Sequence, residues 1–200
     1  MRGLLIAFEG LDQSGKQTQA ELLMDRLTAA GRTVRLLSFP DYDTAIGSEI
    51  GRALRGEREY GPDVMQLLYV ANRYEKKAEI TRAKDSGTII VCDRYLASSI
   101  AYGEAQGLDA AWLSSIQKYL PQPDLTILLD IPPEVSAKRK TADRDRYERD
   151  LALLGRVRES YLRQAQVGQA LSGLPWIRLD ADRNREEVGA DVYSAVSRVM

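Results

Sequence analysis

The sequence predicts an α/β fold in which a five-stranded parallel sheet is flanked by helices on both faces. Short apolar runs alternate with longer amphipathic segments from one end of the chain to the other. Alternation of this kind is typical of a mostly parallel sheet covered by helices. The chain has 200 residues without a low-complexity tract, a length that suits one domain with a sizeable core. We therefore expect a single domain over residues 1–200.

The strands are expected in the five apolar runs, and the helices in the segments between them. Gly31 and Gly87 are typical helix stops, and Pro62 suits the first turn of a long helix. Asn184, followed closely by acidic residues, predicts the start of the last helix. The predicted strands are 4–8, 34–38, 88–92, 125–129 and 176–179. The predicted helices are 17–30, 44–54, 62–86, 98–105, 109–120, 133 towards 140, a segment ending near 171, and one from 184.

Composition excludes several classes of function. The chain has no histidine, so Ser-His-Asp catalysis and His-ligated metals are excluded. Its formal net charge is −1 with acidic and basic residues interspersed, which argues against nucleic acid and membrane partners. The one cysteine, Cys92, lies in an apolar run, and the first residues lack a signal-peptide pattern. We expect a cytoplasmic, reducing environment.

A glycine-rich loop follows the first predicted strand. Its two glycines, Gly10 and Gly15, stand five apart and precede Lys16 at the start of a helix. Glycines allow backbone amides to turn inward, the helix N-terminus attracts anions, and the lysine reaches the outer phosphates. The loop therefore predicts nucleoside triphosphate binding, with ATP as the expected donor. The residues assigned to it are Gly10, Leu11, Asp12, Gln13, Ser14, Gly15, Lys16, Gln17 and Thr18.

The loop departs from the usual pattern at Gln17, where a Ser or Thr hydroxyl would ligate Mg²⁺. Thr18 comes one position later, but a helix turns about 100° per residue, so Thr18 cannot simply replace that ligand. We expect Mg²⁺ to be held by phosphate oxygens, waters and a carboxylate, with Asp12 nearest.

A second candidate site follows the third predicted strand, where Asp93 and Arg94 stand at the carboxyl edge of the sheet. Arg94 is placed to bind an acceptor phosphate, and Asp93 to accept a hydroxyl or a metal-bound water. An ordinary ion pair at a strand end is the alternative. Tyr69 and Arg73 are four residues apart on one helix face, which also suits simple packing.

Blocks spread in order over nearly the whole chain resemble the thymidylate kinase family. They are Phe8–Asp12 with Gly15-Lys16 and Thr18-Gln19, Phe39-Pro40, Asn72-Arg73, Asp93-Arg94-Tyr95, Ser98-Ser99, Ala101-Tyr102, Pro121, Pro123-Asp124-Leu125 and Tyr147-Glu148-Arg149-Asp150. The resemblance implies a P-loop nucleoside monophosphate kinase fold with a lid. It also implies transfer of the ATP γ-phosphoryl group to dTMP with Mg²⁺, and a homodimer.

The resemblance also implies roles for individual residues. It makes Asp12, Lys16 and Arg94 catalytic and gives Asp12 and Asp93 to the metal. It places Phe39 and Pro40 at the wall of the thymine pocket, Tyr69 on the thymine ring and Arg73 against the base. Arg94 and Ser98 are expected at the acceptor, Ser99 at the base edge and Tyr102 near the sugar.

The segment 141–150 is densely charged and lacks apolar periodicity. By itself it reads as a solvated surface loop; the resemblance implies a mobile lid. Some thymidylate kinases carry a catalytic arginine in the phosphate loop, where this chain has Gln13. We therefore assign that role to Arg144 and Arg146, with Arg149 as the next choice.

Three alternatives remain. A regulatory GTPase would need an Asn-Lys-x-Asp motif after a strand, which this chain lacks. Gln17 alone suggests a non-catalytic nucleotide-binding module. A different nucleoside monophosphate kinase is possible if Tyr42 and Ser99 reshape the base pocket.

Overall fold

The structure is a computed structural model that describes residues 3–139, 150–171 and 176–200, without the side chains of 169–171. Its elements follow in the order β1 (Leu5–Glu9), α1 (Lys16–Ala29), β2 (Val34–Ser38), α2 (Ala45–Leu54), α3 (Pro62–Asp85), β3 (Ile89–Asp93), α4 (Leu96–Ala105), α5 (Ala110–Ser115), β4 (Leu125–Asp130), α6 (Pro133–Arg139), α7 (Leu151–Leu171), β5 (Trp176–Asp180) and α8 (Arg185–Ser197).

The five strands form one sheet in the order β2-β3-β1-β4-β5, and all four neighbouring pairs are parallel. The predicted five-stranded parallel sheet is thus confirmed. Strand β1 lies at the centre of the sheet, and all five of its residues are buried. Its side chains alternate between two apolar layers, with Ile6 and Phe8 in one layer and Leu5 and Ala7 in the other. Each large apolar side chain buried in this way contributes about 1.5–3 kcal/mol.

Two helix boundaries differ from the sequence prediction by two residues or more. Helix α4 begins at Leu96, two residues before the predicted start, because Glu9 on β1 accepts hydrogen bonds from the first amides of the helix. Helix α5 ends at Ser115 rather than near residue 120. Beyond it the backbone continues with three-residue turns, in which the amide of Gln117 donates to the carbonyl of Ser114.

Parallel strand order brings the carboxyl ends of the strands to one edge of the sheet. The loop after β1, the Asp93-Arg94 step after β3 and the Phe39-Pro40 step after β2 all lie at this edge. Ligands of open parallel sheets bind at that edge, so the candidate site residues are brought together. Among the described residues, no helix is both long and apolar enough to cross a bilayer.

Candidate active site

The loop between β1 and α1 has the backbone geometry of an anion-binding site. Gly10 and Gly15 have φ values of 141° and 90°, and Gln13 has a φ of 61°. A Cβ at Gly10 would lie 2.4 Å from the carbonyl oxygen of Leu129, so the loop packs directly on the end of β4. Gly15 is the N-cap of α1 and provides no side-chain cap, so the first amides of the helix remain available to phosphate oxygens.

Lys16 is buried inside this loop. Its Nζ donates to the carbonyl oxygen of Leu11 at 2.7 Å, and only 6% of the residue is exposed. Burial and the nearby Arg94 guanidinium together lower the pKa of Lys16 to about 8, although Asp12 and Asp93 oppose the shift. A triphosphate entering the loop would offer the ammonium anionic partners in place of a single carbonyl.

The side chains of Gln17 and Thr18 are exposed on the first turn of α1. The Gln17 Nε2 donates to Glu21 Oε1 at 3.0 Å on the outside of the helix. Their part in triphosphate binding stays a prediction. Their backbone amides lie in the first turn of α1, where amides have no partner within the helix and could bind phosphate oxygens.

Asp12, Arg94 and Tyr102 form a hydrogen-bonded cluster, which we call the Asp12 cluster. Arg94 Nη2 lies 2.5 Å from Asp12 Oδ1, and the Tyr102 hydroxyl donates to Asp12 Oδ2 at 2.9 Å. Burial by itself would raise the pKa of Asp12, but Arg94 and Lys16 hold it well below its ordinary value. Asp12 is therefore ionised, and it fixes Arg94 at the boundary between the loop and the cavity behind it.

Arg94 is positioned by its backbone as well as by Asp12. It has a φ of 63°, which is uncommon for a residue with a side chain, and its amide donates to the carbonyl of Phe8 at 2.9 Å. Its Nη1 donates to the carbonyl oxygen of Gly10 and to the hydroxyls of Ser98 and Tyr161 at 3.1–3.2 Å. Asp12 raises the pKa of Arg94 well above its ordinary value even though burial opposes this. The result is a permanent positive charge facing the cavity.

The cavity beside the Asp12 cluster has a volume of about 110 Å³. It brings together all eight residues that the sequence predicts for the acceptor: Phe39, Pro40, Tyr69, Arg73, Arg94, Ser98, Ser99 and Tyr102. Tyr42, Leu54, Gln66 and Gln106 also line it, as does Asp12. An apolar and aromatic wall with a few convergent polar groups is typical of a small-molecule site.

Arg73 is a buried charged residue of this cavity, close to the aromatic wall. It is 3% exposed, its Nη1 donates to Ser99 Oγ at 2.7 Å, and its guanidinium carbon lies 5.9 Å from the centre of the Phe39 ring. Burial lowers the pKa of Arg73, although Glu9 opposes this. A buried arginine whose Nε has no hydrogen-bond partner is suited to binding a carbonyl oxygen of a ligand.

Two residues that sequence reasoning left without a role hold the site together. Glu9 is fully buried, and its Oε1 accepts from the amides of Tyr95, Ala97 and Ser98 at 2.9–3.3 Å. Its Oε2 accepts from the Ser98 hydroxyl at 2.6 Å. Glu9 therefore caps α4 from a different element. The sequence offered one signal for this role, namely an ionisable residue at the end of a buried strand.

Asn72 is the second such residue. It is fully buried on α3, and its side chain accepts from the amide of Asp41 at 2.8 Å. Its Nδ2 donates to Thr44 Oγ1 and to Glu75 Oε2, both at 2.9 Å. These bonds fasten the loop after Pro40 to α3, so the wall formed by Phe39 and Pro40 has a fixed position.

The proposed metal ligands differ in their surroundings. Asp93 lies at the end of β3, and its buried Oδ1 has no hydrogen-bond partner. Both oxygens of Asp12 accept hydrogen bonds from the Asp12 cluster. Within the described ranges, no group of three or more acidic or cysteine side chains could hold a metal ion. The carboxylates of Asp12 and Asp93 fit a Mg²⁺ ion that is held mainly by nucleotide phosphates and waters. Of the two, Asp93 has the carboxylate that could bind one of the waters on the metal.

The predicted lid arginines, Arg144 and Arg146, and Arg149 behind them, lie outside the described residues. The helices on either side of that segment are described. On α6, the Ser136 hydroxyl donates to the carbonyl of Asp12 at 2.8 Å, and Arg139 Nη1 donates to the carbonyl of Gln13 at 3.2 Å. The end of α6 therefore lies directly beside the phosphate loop.

Comparison with known proteins identifies the family. The family model for thymidylate kinase matches residues 8–192. A thymidylate kinase from Schizosaccharomyces pombe is 37% identical over 198 residues, covering 99% of this chain and 93% of the relative.

This chain belongs to the thymidylate kinase family.

A probable thymidylate kinase from Pyrococcus abyssi is 36% identical over 213 residues, covering all of this chain and 98% of that protein. The solved structure of a thymidylate kinase from Candida albicans superposes with a TM-score of 0.87 at 31% identity. That comparison covers 98% of this chain and 92% of the Candida chain. The P-loop nucleoside monophosphate kinase fold expected for a thymidylate kinase is thereby confirmed.

Proposed function

We propose that this protein transfers the γ-phosphoryl group of ATP to the 5′-phosphate of dTMP, giving dTDP and ADP. The observation that carries the proposal is the Asp12 cluster. Asp12 belongs to the triphosphate-binding loop, while Arg94 and Tyr102 line the acceptor cavity. The two binding sites therefore share one wall, which is the arrangement that direct transfer between two bound phosphates requires.

On the donor side, the loop amides and Lys16 would bind the β- and γ-phosphates of ATP. Mg²⁺, when bound, supplies charge neutralisation between these phosphates. Asp93 has a free buried oxygen for a metal-bound water. Asp12 stays a candidate for the same role, although its carboxylate now holds Arg94.

On the acceptor side, Arg94 would bind the 5′-phosphate of dTMP, since its charge is permanent and faces the cavity. Tyr69 would stack on the thymine ring against the wall of Phe39 and Pro40, and Arg73 with Ser99 would meet the base edge. Little covalent chemistry is left to the protein, because positioning and charge stabilisation supply most of the catalysis of phosphoryl transfer.

The experiment that tests this function measures ADP formation with ATP and Mg²⁺ and one acceptor at a time. The acceptors are dTMP, dUMP, UMP, CMP, AMP and GMP. We expect the highest kcat/KM with dTMP. ATP binding without turnover on any acceptor would contradict the enzyme assignment, and preference for a purine monophosphate would contradict the thymidylate assignment alone.

Three further expectations accompany the proposal: a single domain over residues 1–200, a cytoplasmic location and a homodimer. Support for the dimer comes from α3, which exposes Val64 and Leu67 on its surface, at 38% and 47%. Light scattering on the purified protein should give twice the mass of the 22.4 kDa chain. A monomer mass at micromolar concentration would contradict the homodimer without affecting the proposed reaction.

A further inference from the structure

Gln66 on α3 is a buried side chain with an unused hydrogen-bond acceptor. The residue is 1% exposed, and its Oε1 has no hydrogen-bond partner. It lines the acceptor cavity together with Tyr69 and Arg73. Leaving a buried carboxamide oxygen unpaired is unfavourable, so a group that enters the cavity is the natural partner for it.

A second unused group lies on the same side of the same helix. Residues 66, 69, 70 and 73 share one face of α3, and the Nε of Arg73 is also buried without a partner. Gln66 Oε1 and Arg73 Nε are the two such atoms among the described residues that line the cavity. One is an acceptor and the other is a donor.

This pair matches the polar edge of a thymine ring. Thymine presents an N3–H donor between two carbonyl acceptors. Arginine has donors and no acceptor, so Arg73 can bind a carbonyl oxygen but cannot receive the N3–H. Ser99 Oγ already accepts from Arg73 Nη1. The ring N–H needs an acceptor, and Gln66 Oε1 is a buried acceptor that holds no hydrogen bond, whereas Ser99 Oγ is already partly used.

We propose that Gln66 is a specificity-determining residue that accepts a hydrogen bond from the base N–H of the bound monophosphate while Arg73 donates to a carbonyl of the same base. The inference rests on the proposed function, since it assumes a pyrimidine imide as the acceptor base. Stacking on Tyr69 then selects for a flat ring, whereas Gln66 and Arg73 select for its polar edge.

The test compares dTMP with the 5′-monophosphate of the 2,4-difluorotoluene deoxynucleoside, which keeps the shape of thymine but has no N–H donor or carbonyl. Gln66→Met keeps the length of the side chain and removes both polar atoms. We expect Gln66→Met to lower kcat/KM for dTMP by about ten- to a hundredfold. The kcat/KM for the difluorotoluene analogue should change by less than about threefold, and the KM for ATP should stay constant.

Gln117→Met is the matched control. Gln117 is also a buried glutamine with an unpartnered Oε1, but it lies outside the acceptor cavity and its Nε2 donates to Leu96 and Leu113 carbonyls. Gln117→Met should leave the ratio of kcat/KM for dTMP to kcat/KM for the difluorotoluene analogue at its wild-type value. Gln66→Glu retains acceptor oxygens and should keep a larger preference for dTMP than Gln66→Met does.

An equal loss on both substrates in Gln66→Met would overturn the proposal and reduce Gln66 to a packing residue. Equal kcat/KM of the wild type for dTMP and the analogue would overturn it without any variant, so the test survives if Gln66→Met does not fold. A wild type that phosphorylates no nucleoside monophosphate would instead contradict the proposed function itself.

Discussion

Lys16 shows how the resting site prepares for a triphosphate. The ammonium group is buried and close to Arg94, and both burial and that like charge lower its pKa to about 8. Its Nζ donates a hydrogen bond to the neutral carbonyl of Leu11. Phosphate oxygens would favour the charged form of the lysine, so ATP binding above neutral pH should be accompanied by proton uptake.

This gives a pH dependence with a definite sign. Protonated Lys16 is the form that attracts phosphate, so kcat/KM for ATP should be level below pH 8. Above it, we expect a fall that approaches about tenfold per pH unit, because kcat/KM for ATP reports the form of the enzyme to which ATP binds. The measurement is a pH–rate profile from pH 6 to 10 at saturating dTMP. Lys16→Arg, which cannot lose its charge in this range, should be slower but level; a level wild-type profile to pH 10 would contradict the role of Lys16.

Individual residues differed in how far the sequence could predict them. The glycine spacing before Lys16 is a local pattern, and the eight acceptor residues followed from family motifs that the cavity does bring together. The capping of α4 by Glu9 could not be predicted, because the partners of Glu9 at residues 95–98 are nearly 90 residues away in the sequence. Gln66 carries no motif, and only its burial and its unpaired oxygen mark it.

At the scale of elements, α6 is held against the phosphate loop by side-chain hydrogen bonds. Ser136 and Arg139 bind α6 to carbonyls of the phosphate loop, and Arg139 Nη2 also donates to the carbonyl of Ala181 at 3.0 Å. Asp150 precedes α7, and its carboxylate accepts from the amide of Leu153 at 2.9 Å. The end of α6 is thus fixed beside the phosphate loop, which is the position from which the proposed lid would act.

The corresponding prediction concerns Arg144 and Arg146. Arginines that stabilise the transferred phosphoryl group contribute mainly to kcat. We expect Arg144→Ala with Arg146→Ala to lower kcat by about a thousandfold or more while the Kd for ATP changes little, as measured by steady-state kinetics and calorimetry. Arg163→Ala is the control, since Arg163 is an exposed arginine paired with Glu104 on α4. An unaltered kcat in the double variant would move the catalytic arginine elsewhere, with Arg149 next.

Element boundaries were predicted less well than element identity, for a physical reason. All five strands were identified because short apolar runs are local signals. Helix α4 starts earlier than predicted because Glu9 satisfies its first amides, and α5 stops earlier because the chain changes to three-residue turns at Ser114. Both boundaries depend on contacts and backbone geometry rather than on local periodicity.

At the scale of the whole molecule, strand order explains why the chemistry converges. The strands that carry the phosphate loop, Asp93-Arg94 and Phe39-Pro40 are β1, β3 and β2, which are adjacent in the sheet. Their carboxyl ends therefore place the donor loop and the acceptor cavity side by side, joined by the Asp12 cluster. A single sheet edge would therefore hold both substrates of the proposed reaction, in a chain whose residues 8–192 match the thymidylate kinase family model.

The most direct test of the proposed phosphoryl transfer to dTMP is a competition between acceptor monophosphates. The protein is given ATP and Mg²⁺ with an equimolar mixture of dTMP, dUMP, UMP, CMP, AMP and GMP, and the nucleoside diphosphates are identified by mass spectrometry at low conversion. We expect dTDP as the main product. The ADP formed should equal the dTDP plus the small amounts of other nucleoside diphosphates. A different main diphosphate, or ADP accompanied by free phosphate and no new nucleoside diphosphate, would contradict the proposed transfer.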